Sequence, residues 1–177
     1  MIRLVYTSIL LISLSGCFIF GSQKPDSYYY LNSKRAVEES QASVYVGQLL
    51  WPVEGKTKIS SWFGPRSKSF HDGVDIVQKR GVPVLAAHDG VVLRTDNVFR
   101  GYGKLIVIKG QGIVTMYAHL DEYYVGFMDE VKKGDVIGIL GATGRVTAPH
   151  LHFETRILND KDKYYPVDPL VFYPDKS

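Results

Sequence analysis

From Gln48 onward, turn-forming residues recur about every eight to twelve positions: Pro52 and Gly55, Gly64 and Pro65, Gly73, Gly81 to Pro83, Asp89 and Gly90, then Gly101 and Gly103. Glycine and proline at that spacing break helices, while short strands joined by tight turns tolerate them. Fifteen of the 17 glycines lie from Gly47 onward, mixed with Val, Ile, Tyr and Phe. The segments between the turns carry β-branched residues and partial alternation, and six read as strands: 82–88, 90–96, 104–110, 113–120, 135–141 and 150–158. No helix longer than two turns is expected. The fold class is therefore all-β, a compact antiparallel sheet core of the sandwich or barrel kind. At 177 residues the chain suits one domain that buries a core without disulfides.

The N-terminal end differs in character. It opens MIRLVYTSILLISLSGC: a basic Arg3, an apolar run from Leu4 to Leu14, then small residues before Cys17, which is the layout of an export signal. Cys17 is the single cysteine, which rules out an internal disulfide framework. From Gly21 to about Val46 the sequence is polar without a sustained apolar period. It reads as a tether with one short helix near Ala36 to Ala42, and with Tyr28 to Tyr30 packing on their own domain. The formal charge of +3 is spread without basic blocks, and aromatic and basic residues do not interleave, so nucleic acid is not an expected partner.

Five histidines carry the chemistry: His71, His88, His119, His150 and His152. In TAPHLHFE, residues 147–154, His150 and His152 share one face of a strand while Leu151 and Phe153 share the other. In SFHDGVDIV, residues 69–77, the glycine and β-branched residues argue for a turn into a strand, in which His71 and Asp75 also share a face. Alone, H-x-x-x-D reads more readily as a turn aspartate beside an unrelated histidine, and H-x-H as surface imidazoles. Together they offer three ligands, His71, Asp75 and one of His150 and His152, with the other beside the water of a catalytic zinc site. His119, in VTMYAHLDE, is either a hydrogen-bonded core histidine or a second proton carrier. His88 precedes an Asp-Gly turn, and a local contact is expected there.

In this order, FGPR, HDGVDI, YAHL and GATGRVTAPHLHFE closely resemble the lysostaphin and LytM type of peptidoglycan zinc endopeptidases, over roughly Trp51 to Tyr173. The resemblance implies the duplicated hybrid motif fold with a groove across one sheet. By motif position it assigns His71, Asp75 and His152 to zinc, and His119 and His150 to catalysis. All five positions are filled, unlike those of the NlpD and EnvC type relatives, which have lost metal ligands and activate cell-wall amidases. LSGC resembles the lipobox of bacterial lipoproteins, where the signal is cut before the cysteine and the thiol is lipidated. That implies a signal peptide at 1–16, a lipidated N-terminus and tether at 17–47 with Cys17 as the attachment point, and a metallopeptidase domain at 48–176.

The expected activity is hydrolysis of peptidoglycan peptide cross-links, with D-alanyl to diaminopimelate bonds favoured over glycine bridges. Loops 97–103 and 121–129 would set specificity, and Arg66 would bind a substrate carboxylate or form a structural salt bridge. The rival reading is a binding module, a non-hydrolytic regulator whose partner is a cell-wall hydrolase or a division complex. A sugar-transport phosphocarrier of the same fold conflicts with the export signal. The expected location is the cell envelope, lipid-anchored and facing the periplasm, with the outer membrane slightly favoured because Phe18, not aspartate, follows Cys17. An uncleaved membrane helix is the alternative, since Leu4 to Phe20 is near the lower limit of about 17 residues for a span.

Overall fold

The computed structural model describes residues 27–96 and 101–176. The signal segment, Cys17, Phe18 and four residues of the 97–103 loop lie outside them. Among the described residues, twelve strands follow one helix: β1 (Lys58–Ser61), β2 (Gly64–Arg66), β3 (Ser69–His71), β4 (Val74–Val77), β5 (Pro83–Leu85), β6 (Gly90–Asp96), β7 (Lys104–Lys109), β8 (Ile113–Tyr123), β9 (Glu130–Val131), β10 (Val136–Leu140), β11 (Leu151–Leu158) and β12 (Tyr164–Val167). Ten form one antiparallel sheet with the path β1-β4-β11-β8-β7-β6-β9, while β2 and β3 form a separate hairpin. Each of the six expected strands has its counterpart, and the class is mostly β as anticipated. The short β1 to β4, β9 and β12 carry too few residues for alternation to register.

β11 is the centre of the sheet. It pairs with β4 on one side and with β8 on the other, and its residues alternate cleanly. Leu151, Phe153 and Ile157 enter the main core beside Val74, Ile76, Ile108 and Tyr117. The opposite face carries His152, Glu154 and Arg156, next to a smaller apolar cluster of Leu105, Val114, Met116 and Ala118. One face thus supplies hydrophobic stabilisation and leaves the other for polar chemistry.

The helix α1 (Ser27–Glu38) lies earlier and is longer than expected. Its Val37 is fully buried, Tyr29, Tyr30 and Ala36 pack on the main core, and Ser33 Oγ accepts a hydrogen bond from the Asp168 amide. Of the tyrosine run, Tyr29 and Tyr30 pack on their own domain as expected, while Tyr28 is exposed. A 3-10 turn, Gln41–Tyr45, continues the docking, with Ser40 capping it and the Tyr45 hydroxyl accepting from the Gln111 amide. Residues 29–45 therefore belong to the folded body rather than to a free tether. Among the described residues no helix is long and apolar enough to cross a membrane.

Gly73 makes the closest approach between the β3–β4 turn and β11. A β-carbon there would collide with the Phe153 carbonyl and press on the Glu154 side chain. Gly73→Ala should cost about 1–3 kcal/mol as overpacking, which for a chain of this size lowers Tm by roughly 2–12 °C. Because Gly73 lies between His71 and Asp75, metal affinity should fall with it. Thermal melts with and without zinc would check both, and an unchanged Tm would contradict the close packing.

Candidate metal centre

Three elements deliver the atoms of a group that could hold a metal ion. His71 ends β3, Asp75 lies in β4, and His152 lies in β11 directly across from Asp75 in the register. His71 Nε2 is 3.1 Å from Asp75 Oδ1 and 3.0 Å from His152 Nδ1, which is 2.9 Å from the same carboxylate oxygen. The outer nitrogens decide the tautomers. His71 Nδ1 is 2.7 Å from the Trp62 carbonyl, which has no hydrogen to give, so Nδ1 is the donor and Nε2 carries a lone pair. His152 Nε2 donates to Glu154 Oε1 at 2.9 Å, which leaves its Nδ1 with a lone pair. With both rings neutral, two imidazole lone pairs and a carboxylate oxygen point at one another with no hydrogen between them. Such a cluster is repulsive unless a cation or a proton joins it. The spacings are near the roughly 3.3 Å between neighbouring ligands of a tetrahedral zinc with bonds of about 2.0–2.1 Å, and two histidines with one carboxylate suit that ion.

The surroundings hold these groups in place. Glu154 has no exposed surface; besides His152 it accepts from the Tyr102 hydroxyl at 2.7 Å and from Arg156 Nε at 2.7 Å. Arg156 reaches on to Asp72 at 3.1 Å, so Asp72 is tied up away from the ligands. Burial would raise the Glu154 carboxyl, but His152 and Arg156 outweigh it and keep it below its ordinary range. Burial opposes the charged form of Asp75 as well, yet the adjoining His152 and His71 hold its carboxyl well below the usual range. Arg66 donates to Asp75 Oδ2 at 3.1 Å, which turns Oδ1 toward the ligand cluster and makes Arg66 a structural ion pair.

His119 and His150 stand beside the cluster. Their rings are 4.8 Å apart, and His119 is 5.9 Å from the His152 ring. His119 has a left-handed backbone, φ 65°, which a β-branched or bulky residue rarely adopts. The β7–β8 register runs Ile106 to Tyr117 and then Lys104 to Leu120, so β8 carries one extra residue there. This bulge lets Tyr117 and Leu120 both enter the main core while His119 turns to the groove. His119 Nδ1 donates to the Thr143 carbonyl and His150 Nδ1 to the Ala148 carbonyl, each at 2.9 Å, leaving both Nε2 atoms as acceptors. His150 Nε2 is 3.7 Å from Asp75 Oδ1. Burial, then the neighbouring His150, pushes His119 down to about 4, so it is neutral at physiological pH. All five residues line a groove of about 430 Å³, with Arg66, Tyr102 and Arg145 on its walls.

His88 lies elsewhere, buried with Nδ1 on the Asp89 carbonyl at 2.8 Å and Nε2 on Thr115 Oγ1 at 3.0 Å, the local contact expected of it. Reading the sequence missed Glu154, Tyr102 and Arg156. The signal for two of them was present, because residues 150, 152, 154 and 156 continue one strand face as His, His, Glu and Arg.

Against known proteins, the sequence profile of "Peptidase family M23" matches residues 69–169. The chain is 41% identical over 108 residues to the DD-carboxypeptidase/endopeptidase Mpg of Neisseria meningitidis, covering 57% of this chain and 25% of that protein. It is 38% identical over 127 residues to the murein hydrolase activator NlpD of Escherichia coli, covering 71% and 31%. A zinc-containing peptidase from Vibrio cholerae superposes with TM-score 0.60 at 35% identity, over 67% of this chain and 37% of that one. The catalytic domain of the antimicrobial peptidase lysostaphin from Staphylococcus simulans gives 0.61 at 31% identity, over 66% and 92%. The chain spans between about a fifth and a third of the length of the curated relatives it matches first.

Glu154→Gln should lower zinc affinity about 10- to 100-fold, the usual cost of losing a partner that orients a ligand, with the strand core intact by circular dichroism. In the metal-free protein, burial disfavours a charge on His152, but the hydrogen bonds it donates to Asp75 and Glu154 outweigh it and raise its pKa to about 9. Metal must therefore displace a proton below that pH. Apparent zinc affinity should rise about tenfold per pH unit from 7 toward 9 and flatten above; chelator competition at pH 7, 8, 9 and 10 would show a flat profile if the cluster held no proton.

Proposed function

This chain belongs to peptidase family M23, and from that membership we propose that it is a zinc-dependent endopeptidase that cuts the peptide cross-links of bacterial peptidoglycan, at D-alanyl to diaminopimelate bonds in preference to glycine bridges. The observation that carries this reading is the convergence of three lone pairs on one point, flanked by two imidazoles whose free Nε2 atoms face the same groove. A site that only held a metal would not need the second pair. The endopeptidase name of the Neisseria relative and the zinc-containing Vibrio cholerae neighbour support it.

His71 Nε2, Asp75 Oδ1 and His152 Nδ1 would hold the zinc. Bound there, the ion lowers the pKa of bound water from 15.7 toward about 7 and polarises the peptide carbonyl. His119, neutral and fixed by Thr143, orients the attacking water by accepting its hydrogen. His150 is less buried, and its Nε2 takes the proton and returns it to the leaving amine. Tyr102 and Arg156 keep Glu154 ionised so that His152 stays in the coordinating tautomer. The export layout of residues 1–17 supports delivery to the envelope and anchoring through a lipid on Cys17.

The NlpD relative favours one other reading, a regulator that activates a cell-wall hydrolase. Hydrolysis separates the two. The full chain in detergent, incubated with zinc and purified cross-linked muropeptide dimers, should release monomers visible by mass spectrometry, and a chelator should stop it. His150→Ala should keep its zinc and lose turnover by about 10²–10⁴-fold. Full turnover in that variant would remove His150 from the mechanism, and intact dimers with zinc bound to the unaltered chain would favour the regulator.

A further inference from the structure

The groove holds two guanidinium groups in different situations. Arg66 is engaged by Asp75 and Ser61. Arg145 is exposed, and among the described residues its side chain meets no carboxylate or carbonyl. The groove's other acidic wall residue, Asp72, is held by Arg156. Among the described residues, Arg145 is thus the lining cation whose donors remain available.

Its backbone, by contrast, is fixed. The Arg145 amide donates to the Gly101 carbonyl at 2.8 Å, and Thr143 Oγ1 donates to the Leu120 carbonyl at 2.7 Å while accepting from the Lys104 amide at 2.9 Å. Gly103 and Gly144 both have left-handed backbones, φ 66° and 81°, and a β-carbon on either would run into the other's loop. The two loops interlock through positions only glycine fills comfortably. The carbonyl that orients His119 belongs to Thr143 in the same turn, two residues before Arg145. The turn that sets the water-orienting histidine therefore also sets where the free guanidinium stands.

We propose that Arg145 is a specificity-determining residue that binds a free carboxylate on the carbon bearing the scissile amide nitrogen. This rests on the endopeptidase reading and deepens it. A guanidinium grips a carboxylate through two parallel N–H donors. A direct cross-link to a diamino acid places such a carboxylate beside the bond to be cut, whereas the interior of a glycine bridge is a run of neutral amides. With Asp75 matched by Arg66 and Asp72 by Arg156, the acids of the groove do not compete for Arg145.

The test compares two synthetic cross-linked peptides, identical except that the carboxylate next to the scissile bond is free in one and amidated in the other. The full chain loaded with zinc, Arg145→Gln and Arg145→Lys are assayed by kcat/KM. The unaltered chain should prefer the free carboxylate on the order of 10- to 100-fold. Arg145→Gln should lose that preference through a slower reaction on the free carboxylate alone, and Arg145→Lys should retain part of it. An equal fall on both peptides, or no change on either, would overturn the assignment. If the unaltered chain cuts neither peptide, the endopeptidase reading fails by itself, and calorimetric binding of the same peptides decides: tighter binding of the free carboxylate, abolished in Arg145→Gln, supports the role of Arg145, and equal or absent binding rejects it.

Discussion

β11 lies between β4 and β8 with His152 across from Asp75 on one side and from Ala118 on the other, and the site depends on that register. In a strand, a slip of one residue turns every side chain to the opposite face. Here such a slip would send His152, Glu154 and Arg156 into the apolar core and bring Leu151, Phe153 and Ile157 to the groove. The register is therefore enforced by the burial of those three apolar side chains, each worth about 1.5–3 kcal/mol. The ligand geometry follows from hydrophobic packing on the far side of the same strand.

Placing charged groups on a buried face carries its own cost, which the structure offsets by pairing. His152, Glu154, Arg156 and Asp72 form one alternating chain of base, acid, base and acid, with Tyr102 filling a remaining acceptor position on Glu154. Removing one member would leave an uncompensated buried charge, and breaking a buried pair this way typically costs about 3–5 kcal/mol. The strained backbone of His119 fits the same logic. A left-handed non-glycine residue costs about 1–2 kcal/mol, and what it achieves is a histidine on the groove between two residues that both feed the core.

How much of this was legible in the sequence varied with how local the cause was. Strand positions were legible because glycine and proline interrupt the chain at strand-length spacing. The convergence of His71, Asp75 and His152 was legible because His71 and Asp75 flank a single turn and His150 and His152 alternate on one strand. The helix α1 was not, since its buried face is assembled from Tyr29, Ser33, Ala36 and Val37, a mixture that reads as polar until the core it meets is known. Nor was the bulge at His119: no glycine marks it, and the extra residue exists only relative to β7. The partnership of Arg66 with Asp75 joins residues on different strands, and spacing along the chain does not report it.

The two faces of the sheet also separate folding from chemistry. The main core contains none of the three ligand side chains, and the cross-strand pairs of β11 with β8 extend past the ligands through Ile157. A bound ion would add stability only through the excess of its concentration over its dissociation constant; it is not a staple on which the strands depend, as zinc is in small domains that lack a core. The same sheet can therefore serve proteins that keep the metal and proteins that do not. Names of both kinds, endopeptidase and hydrolase activator, occur among the relatives at nearly equal identity. Overall likeness of fold cannot decide between them, and the decision falls to the few side chains on the groove face, above all to the pair of free imidazoles beside the ligands.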